Sequence, residues 1–121
     1  MDSTAQKTDL TAIPANVNEI KLQPTSLDIW ENKYCLKSKQ GEMIDENIDQ
    51  TYQRVAKALV EVESKENQTV WFEKFLWALR QGVIPAGRIT SNAGAQAHKP
   101  ATSTINCTVS GIIADSMEDI L

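Results

Sequence analysis

Three short stretches of this chain carry residue types that could do chemistry. The first is Pro85-Ala86-Gly87-Arg88-Ile89-Thr90-Ser91-Asn92-Ala93-Gly94. Its glycines let a backbone approach a ligand closely, and free amides there could meet a phosphate. Taken alone, such a small-residue composition more often makes a plain turn. The second is Asn106-Cys107. A thiol can act as a nucleophile or a reductant, but a lone cysteine in an apolar stretch is more often a small hydrophobe. No adjacent His or Lys activates it. The third is Asp115-Ser116-Met117, where a carboxylate and a hydroxyl could bind a sugar hydroxyl or simply cap a helix. His98 has no Cys or His at ligand spacing, and one His with two Cys does not make a metal site. Cys35 lies in a charged run, Lys33 to Lys39, without catalytic context.

The elements that must position these residues follow from periodicity. Residues 1–25 hold scattered Thr and Asn and two prolines, and read as a flexible arm. Ser26 to Tyr34 reads as a short helix, with Ser26 as its cap. Lys37 to Glu42 is a polar turn in which Gly41 takes positive φ. From Glu46 to Glu63, Ile48, Tyr52, Val55, Leu59 and Val62 fall on one helical face. Asp45, Glu46 and Asp49 suit the positive end of its dipole. A further helix over Val70 to Gln81 puts Trp71, Phe75, Leu76 and Leu79 on one side, with Gly82 as its C′ residue. Beyond Pro85 comes a loop of small residues. Thr102 to Val109 then reads as one buried strand, and Asp115 or Ser116 starts a last helical turn.

Composition narrows the function classes. The 121 residues allow one small domain and exclude a complete (β/α)₈ barrel, which needs about 250. A net charge of −4 gives no basic nucleic-acid footprint. All of it lies before Trp71, while Ile89 to Ala114 carries Lys99 alone. That near-neutral stretch, apolar at its end, is expected to be buried. No apolar run approaches the roughly 20 residues of a membrane span, and no signal-peptide stretch opens the chain. A cytoplasmic setting without membrane contact is the expectation.

Together the motifs are more specific than any one of them. Pro-Ala-Gly-Arg-Ile (85–89), Asn-Ala-Gly (92–94), Asn-Cys-x-Val (106–109) and Ile-x-Asp-Ser-Met-Glu (113–118) resemble the N-terminal part of ribonucleotide reductase catalytic subunits. The likeness is greatest to the adenosylcobalamin-dependent class. Ile29 to Tyr34, Ile44-Asp45-Glu46 and Tyr52 to Ala56 agree with it, so it covers about Ser26 to Leu121.

The resemblance implies a mainly α N-terminal region leading into the first strand of an α/β ten-stranded barrel that is incomplete here. Residues 26–84 would be the helical region. Residues 85–121 would hold the substrate loop, that first strand and the start of the effector helix, so that the chain is a piece of the enzyme and inactive alone. It implies thiyl-radical reduction of ribonucleotides, expected as diphosphates, with adenosylcobalamin as cofactor, held mainly by the remainder of the enzyme. Cys107 would be one of the redox-active pair. Gly87, Asn106 and Cys107 would line the substrate, and Asp115, Ser116 and Met117 the deoxynucleotide effector. Gly87 stands where several relatives have Ser or Thr, leaving only backbone for that contact. The implied partners are the rest of the reductase chain, a thioredoxin- or glutaredoxin-type reductant, and a second copy in a homodimer. A stand-alone helical nucleotide-binding or interaction domain that keeps these motifs is the alternative.

Overall fold

The computed structural model describes residues 20–120. Helix α1 covers Pro24–Ile29 and begins two residues before the expected cap. The reason is Pro24 at the first helical position, where its fixed φ is preorganised and its missing N–H costs nothing. The helix widens into a π turn, Trp30–Tyr34, closed by the Cys35 amide donating to the Trp30 carbonyl at 2.8 Å. A tight turn follows. Lys37 bridges Met43, and Gly41 adopts φ 88°, as the polar turn requires.

Helix α2 is Ile48–Val60. Its cap is Asn47, whose side-chain oxygen accepts from the Gln50 amide at 3.0 Å, while the Gln50 side-chain oxygen accepts from the Glu46 amide. Helix α3, Lys65–Arg80, starts a turn earlier than the periodicity predicts. It ends as Gly82 predicts: Gly82 at φ 90° donates to the Leu79 carbonyl, and Val83 to that of Ala78.

The core lies between α2 and α3. Val55, Ala56, Leu76, Leu79 and Ala93 are buried, with Tyr52, Phe72, Phe75 and Ile89 packed around them. Each fully buried aliphatic side chain there contributes about 1.5–3 kcal/mol. The expected face of α2 shifts toward Thr51, Val55, Ala56 and Val60, and Val62 stands 89 % exposed beyond the helix end. On α3, Leu76 and Leu79 are buried as expected, and Trp71 instead sits at the surface against Phe75 and the Lys74 ammonium.

The stretch after Pro85 differs most from expectation. Gly87–Asn92 is a helix, α4, rather than a loop. Residues 102–109 form no strand, and no sheet exists among the described residues. The segment is exposed, not buried, with Val109 and Ile112 in full contact with solvent. A strand exists only by pairing its N–H and C=O groups, and no other described segment offers them a ladder. The last helix, α5, is Met117–Ile120. Ser116 caps it by accepting from the Asp119 amide, and the Asp119 carboxylate accepts from Ala114.

Candidate functional site

The site is built outward from a buried carboxylate. Asp45 accepts from the Arg54 guanidinium (Nη2 at 2.8 Å, Nε at 3.2 Å), the Thr51 hydroxyl (2.7 Å) and the Leu36 amide (3.2 Å). Thr51 Oγ1 in turn accepts from the Trp30 indole N–H at 2.9 Å. Burial pushes the Asp45 carboxyl up, but the bonds from Arg54, Thr51 and Leu36 outweigh it and hold it below the usual carboxylate range. The adjacent Cys35 thiol donates to the Asp45 carbonyl at 3.2 Å. Burial, and then the Asp45 charge, push that thiol up, so Cys35 stays protonated and inert. Asp45 is therefore an ion-pair partner, not a dipole complement at the start of α2.

Arg54 carries this network to α4. Its Nη1 donates to the Ala93 carbonyl at 2.7 Å and its Nη2 to that of Thr90 at 3.0 Å. A helix leaves its last carbonyls unpaired and its C-terminal end negative, so a guanidinium there satisfies both bonding and charge. This is why Gly-Arg-Ile-Thr-Ser-Asn, a poor helix-forming sequence, is helical. Gly94 follows at φ 72°; a Cβ there would meet Arg54 Cγ and its carbonyl oxygen, each at 3.0 Å. A Cβ on Gly87 would meet the Tyr34 ring at 3.3 Å. Both glycines thus serve close packing within the protein, a use that composition alone does not reveal.

α4 holds the cysteine segment. Asn92 Nδ2 donates to the Ser103 carbonyl at 2.9 Å, and Arg88 Nη1 to that of Ile105 at 3.3 Å. An open depression of about 340 Å³ results, lined by Arg88, Ser103, Ile105, Asn106, Cys107 and Thr108. Asn106 and the free thiol of Cys107 are thus brought together, and Arg88 adds a cation beside them. Gly87 begins the helix that carries Arg88 but does not line this depression. Asp115, Ser116 and Met117 lie at the exposed start of α5, outside it. A larger, mostly apolar groove of about 730 Å³ runs on the other side of α4, past Trp30, Tyr34, Tyr52, Leu79, Ile84 and Gly87.

Sequence reasoning missed the buried Asp45–Arg54 pair and the place of Arg88 beside the thiol. The two ion-pair residues are nine positions apart across a helix start, so no single-helix periodicity joins them. The one available signal was that both fall inside the resembling segments.

A mainly helical body with no sheet among the described residues, followed by an exposed cysteine segment, defines an all-α domain. The description of the family whose model matches residues 20–98 is "Ribonucleotide reductase, all-alpha domain". The match covers more than half of the chain, and the chain belongs to that family. It thus carries a domain of oxidoreductases that serve DNA synthesis. No curated protein and no solved structure matches it. No described helix is long and apolar enough to cross a membrane, and no described cluster of His, Cys, Asp and Glu could hold a metal.

Proposed function

We propose that this chain is the N-terminal portion of an adenosylcobalamin-dependent reductase acting on ribonucleoside diphosphates in the cytoplasm, and that Cys107 is one of its two reducing cysteines. The observation that carries the reading is the attachment of the Asn106-Cys107 segment to α4, inside the matched family domain, through Asn92 and Arg88. In the reaction, two thiols give up two electrons and two protons. The ribose 2′-hydroxyl leaves as water, hydrogen takes its place, and the thiols end as a disulfide. Asn106 contacts the ribose beside Cys107, while Gly87, which lines the groove on the other side of α4, contributes only by starting the helix that carries Arg88. Asp115, Ser116 and Met117 bind a deoxynucleotide effector through the carboxylate and hydroxyl.

The described residues do not fit a corrinoid. The chain's one imidazole, His98, is an exposed turn residue that does not line the large groove, a mostly apolar surface whose polar side chains include Asp49, Arg80 and Gln81. Adenosylcobalamin, which supplies the radical chemistry in that class, is assigned to the rest of the enzyme. So is the sheet: Ile105, Val109, Ile112 and Ile113 stand exposed and gain a ladder and an apolar cover from a barrel. The complete enzyme is a homodimer re-reduced by a thioredoxin- or glutaredoxin-type protein.

The isolated chain is expected to show no dithiol-dependent turnover of a ribonucleotide, and to support turnover once combined with the remaining enzyme. Cys107→Ser in that assembly should abolish deoxynucleotide formation under multiple turnover. Normal turnover by this variant would remove Cys107 from the reaction.

A further inference from the structure

We infer that Arg54, fixed by Asp45, is a positioning residue for Cys107 and acts through α4. The inference rests on the reading of Cys107 given above and adds to it the device that sets where the thiol stands. One guanidinium spans two jobs. Its Nε and Nη2 grip the buried carboxylate, whose side chain is 4 % exposed, and its Nη1 and Nη2 cap α4 at Ala93 and Thr90. Asn92, the last residue of that short helix, then fixes Ser103, and Arg88 from its first turn fixes Ile105. Only these two side-chain bonds run from the helical body to the segment that bears Asn106 and Cys107 among the described residues. The position of the thiol is therefore inherited from α4, whose place is set by Ile89 and Ala93 in the core and by Arg54 at its C-terminal end. Lysine cannot replace the planar fork: one ammonium can keep the Asp45 contact but not reach both carbonyls with the same geometry.

The test compares the parent chain with Arg54→Lys and Asn92→Ala, using backbone ¹⁵N relaxation by NMR. In the parent, Ser103 to Cys107 are expected near the rigid order parameter of about 0.85. Both variants should drop these five residues below about 0.6, while α2 and α3 amides keep their values. Loss of order throughout α2 and α3 in Arg54→Lys together with retained order at 103–107 in Asn92→Ala would overturn the inference, since Arg54 would then be a general support. So would an unchanged segment in Arg54→Lys. If Arg54→Lys does not fold, Asn92→Ala combined with Arg88→Ala decides, because an unmoved segment there would show that α4 does not hold the thiol and would overturn the inference. In the assembled reductase, Arg54→Lys should lower kcat about tenfold or more, the scale of a misplaced reacting group, with KM for the ribonucleotide nearly unchanged. An unchanged kcat would also overturn the inference. Full turnover by Cys107→Ser would instead sink the assignment of Cys107, and the relaxation data would still report whether Arg54 orders the segment.

Discussion

The body built from α2, α3 and α4 and the segment from 101 to 120 use apolar residues in opposite ways. In the body, Val55, Leu76 and Leu79 are buried among neighbours that arrive from other helices. Along the segment, Ile105, Val109, Ile112 and Ile113 are just as apolar and face solvent. Side-chain chemistry is shared; the difference is whether a second element supplies partners for the backbone. Helices satisfy their own backbone and can pack at once, whereas an extended segment waits for a ladder. The polar groups divide the same way. The body contains a dry ion pair, and the segment only solvent-exposed bonds.

Breaking the dry pair should have the largest effect. Asp45→Ala leaves a nearly buried guanidinium without its counter-charge, and is expected to cost about 3–5 kcal/mol in urea unfolding at neutral pH. A loss below about 1 kcal/mol would mean that the body is held by its apolar core alone. Leu79→Ala, at 5 % exposure, should cost about 2–5 kcal/mol through lost burial and the cavity it leaves.

Acid titration sharpens the same contrast. The Asp45 carboxyl is held below its ordinary value of 3.8, so its contribution is complete above that value. It is lost as pH falls through the lowered native value. Asp49, lowered by its bonds from Arg80 despite some burial and helped by Gln53, adds to the same acid window. The expected outcome is a melting temperature that falls below about pH 4, with the slope reduced in Asp45→Asn. A pH-independent melting temperature in the parent would break this account.

The smaller effects belong to exposed groups. Arg80 clasps Asp49 with two bonds at 2.7 and 2.8 Å, but both side chains are more than a third exposed. Arg80→Ala should therefore cost at most about 1 kcal/mol, less in high salt. Least of all, Val109→Asp in the isolated chain should change stability by no more than about 0.5 kcal/mol. A larger loss would show that the segment packs on the body after all.

The sequence made α2, α3, the Gly41 turn and the Gly82 stop legible, because periodicity, capping residues and positive-φ glycines act locally. The start of α1 was misplaced because Ser26 looked like a cap while Pro24 already fixed the first turn. α4 was unreadable because its helicity is imposed by Arg54, 36 positions from Thr90. The buried strand was misread because an apolar, β-branched run records a capacity for pairing, and the partner is not among the described residues. Of the candidate site, Asn106 and Cys107 are marked only by the family resemblance, since a lone cysteine in an apolar stretch reads as a small hydrophobe, and they lie with Arg88 in one depression. The carboxylate behind them was hidden because a charged residue before a helix reads as a solvated one.

Gly94 and Arg54, far apart in sequence, meet where α4 ends. The bare α-carbon of Gly94 admits both the stem and the backbone carbonyl of Arg54 at a φ of 72°, and the guanidinium at the end of that stem closes α4. Alanine at 94 meets that backbone carbonyl and a left-handed backbone whatever stands at 54, whereas a short side chain at 54 leaves the helix uncapped. In a mutational library of this domain position 94 should therefore keep glycine even where Arg54 is shortened, and a double-mutant cycle across positions 54 and 94 should show only a small coupling.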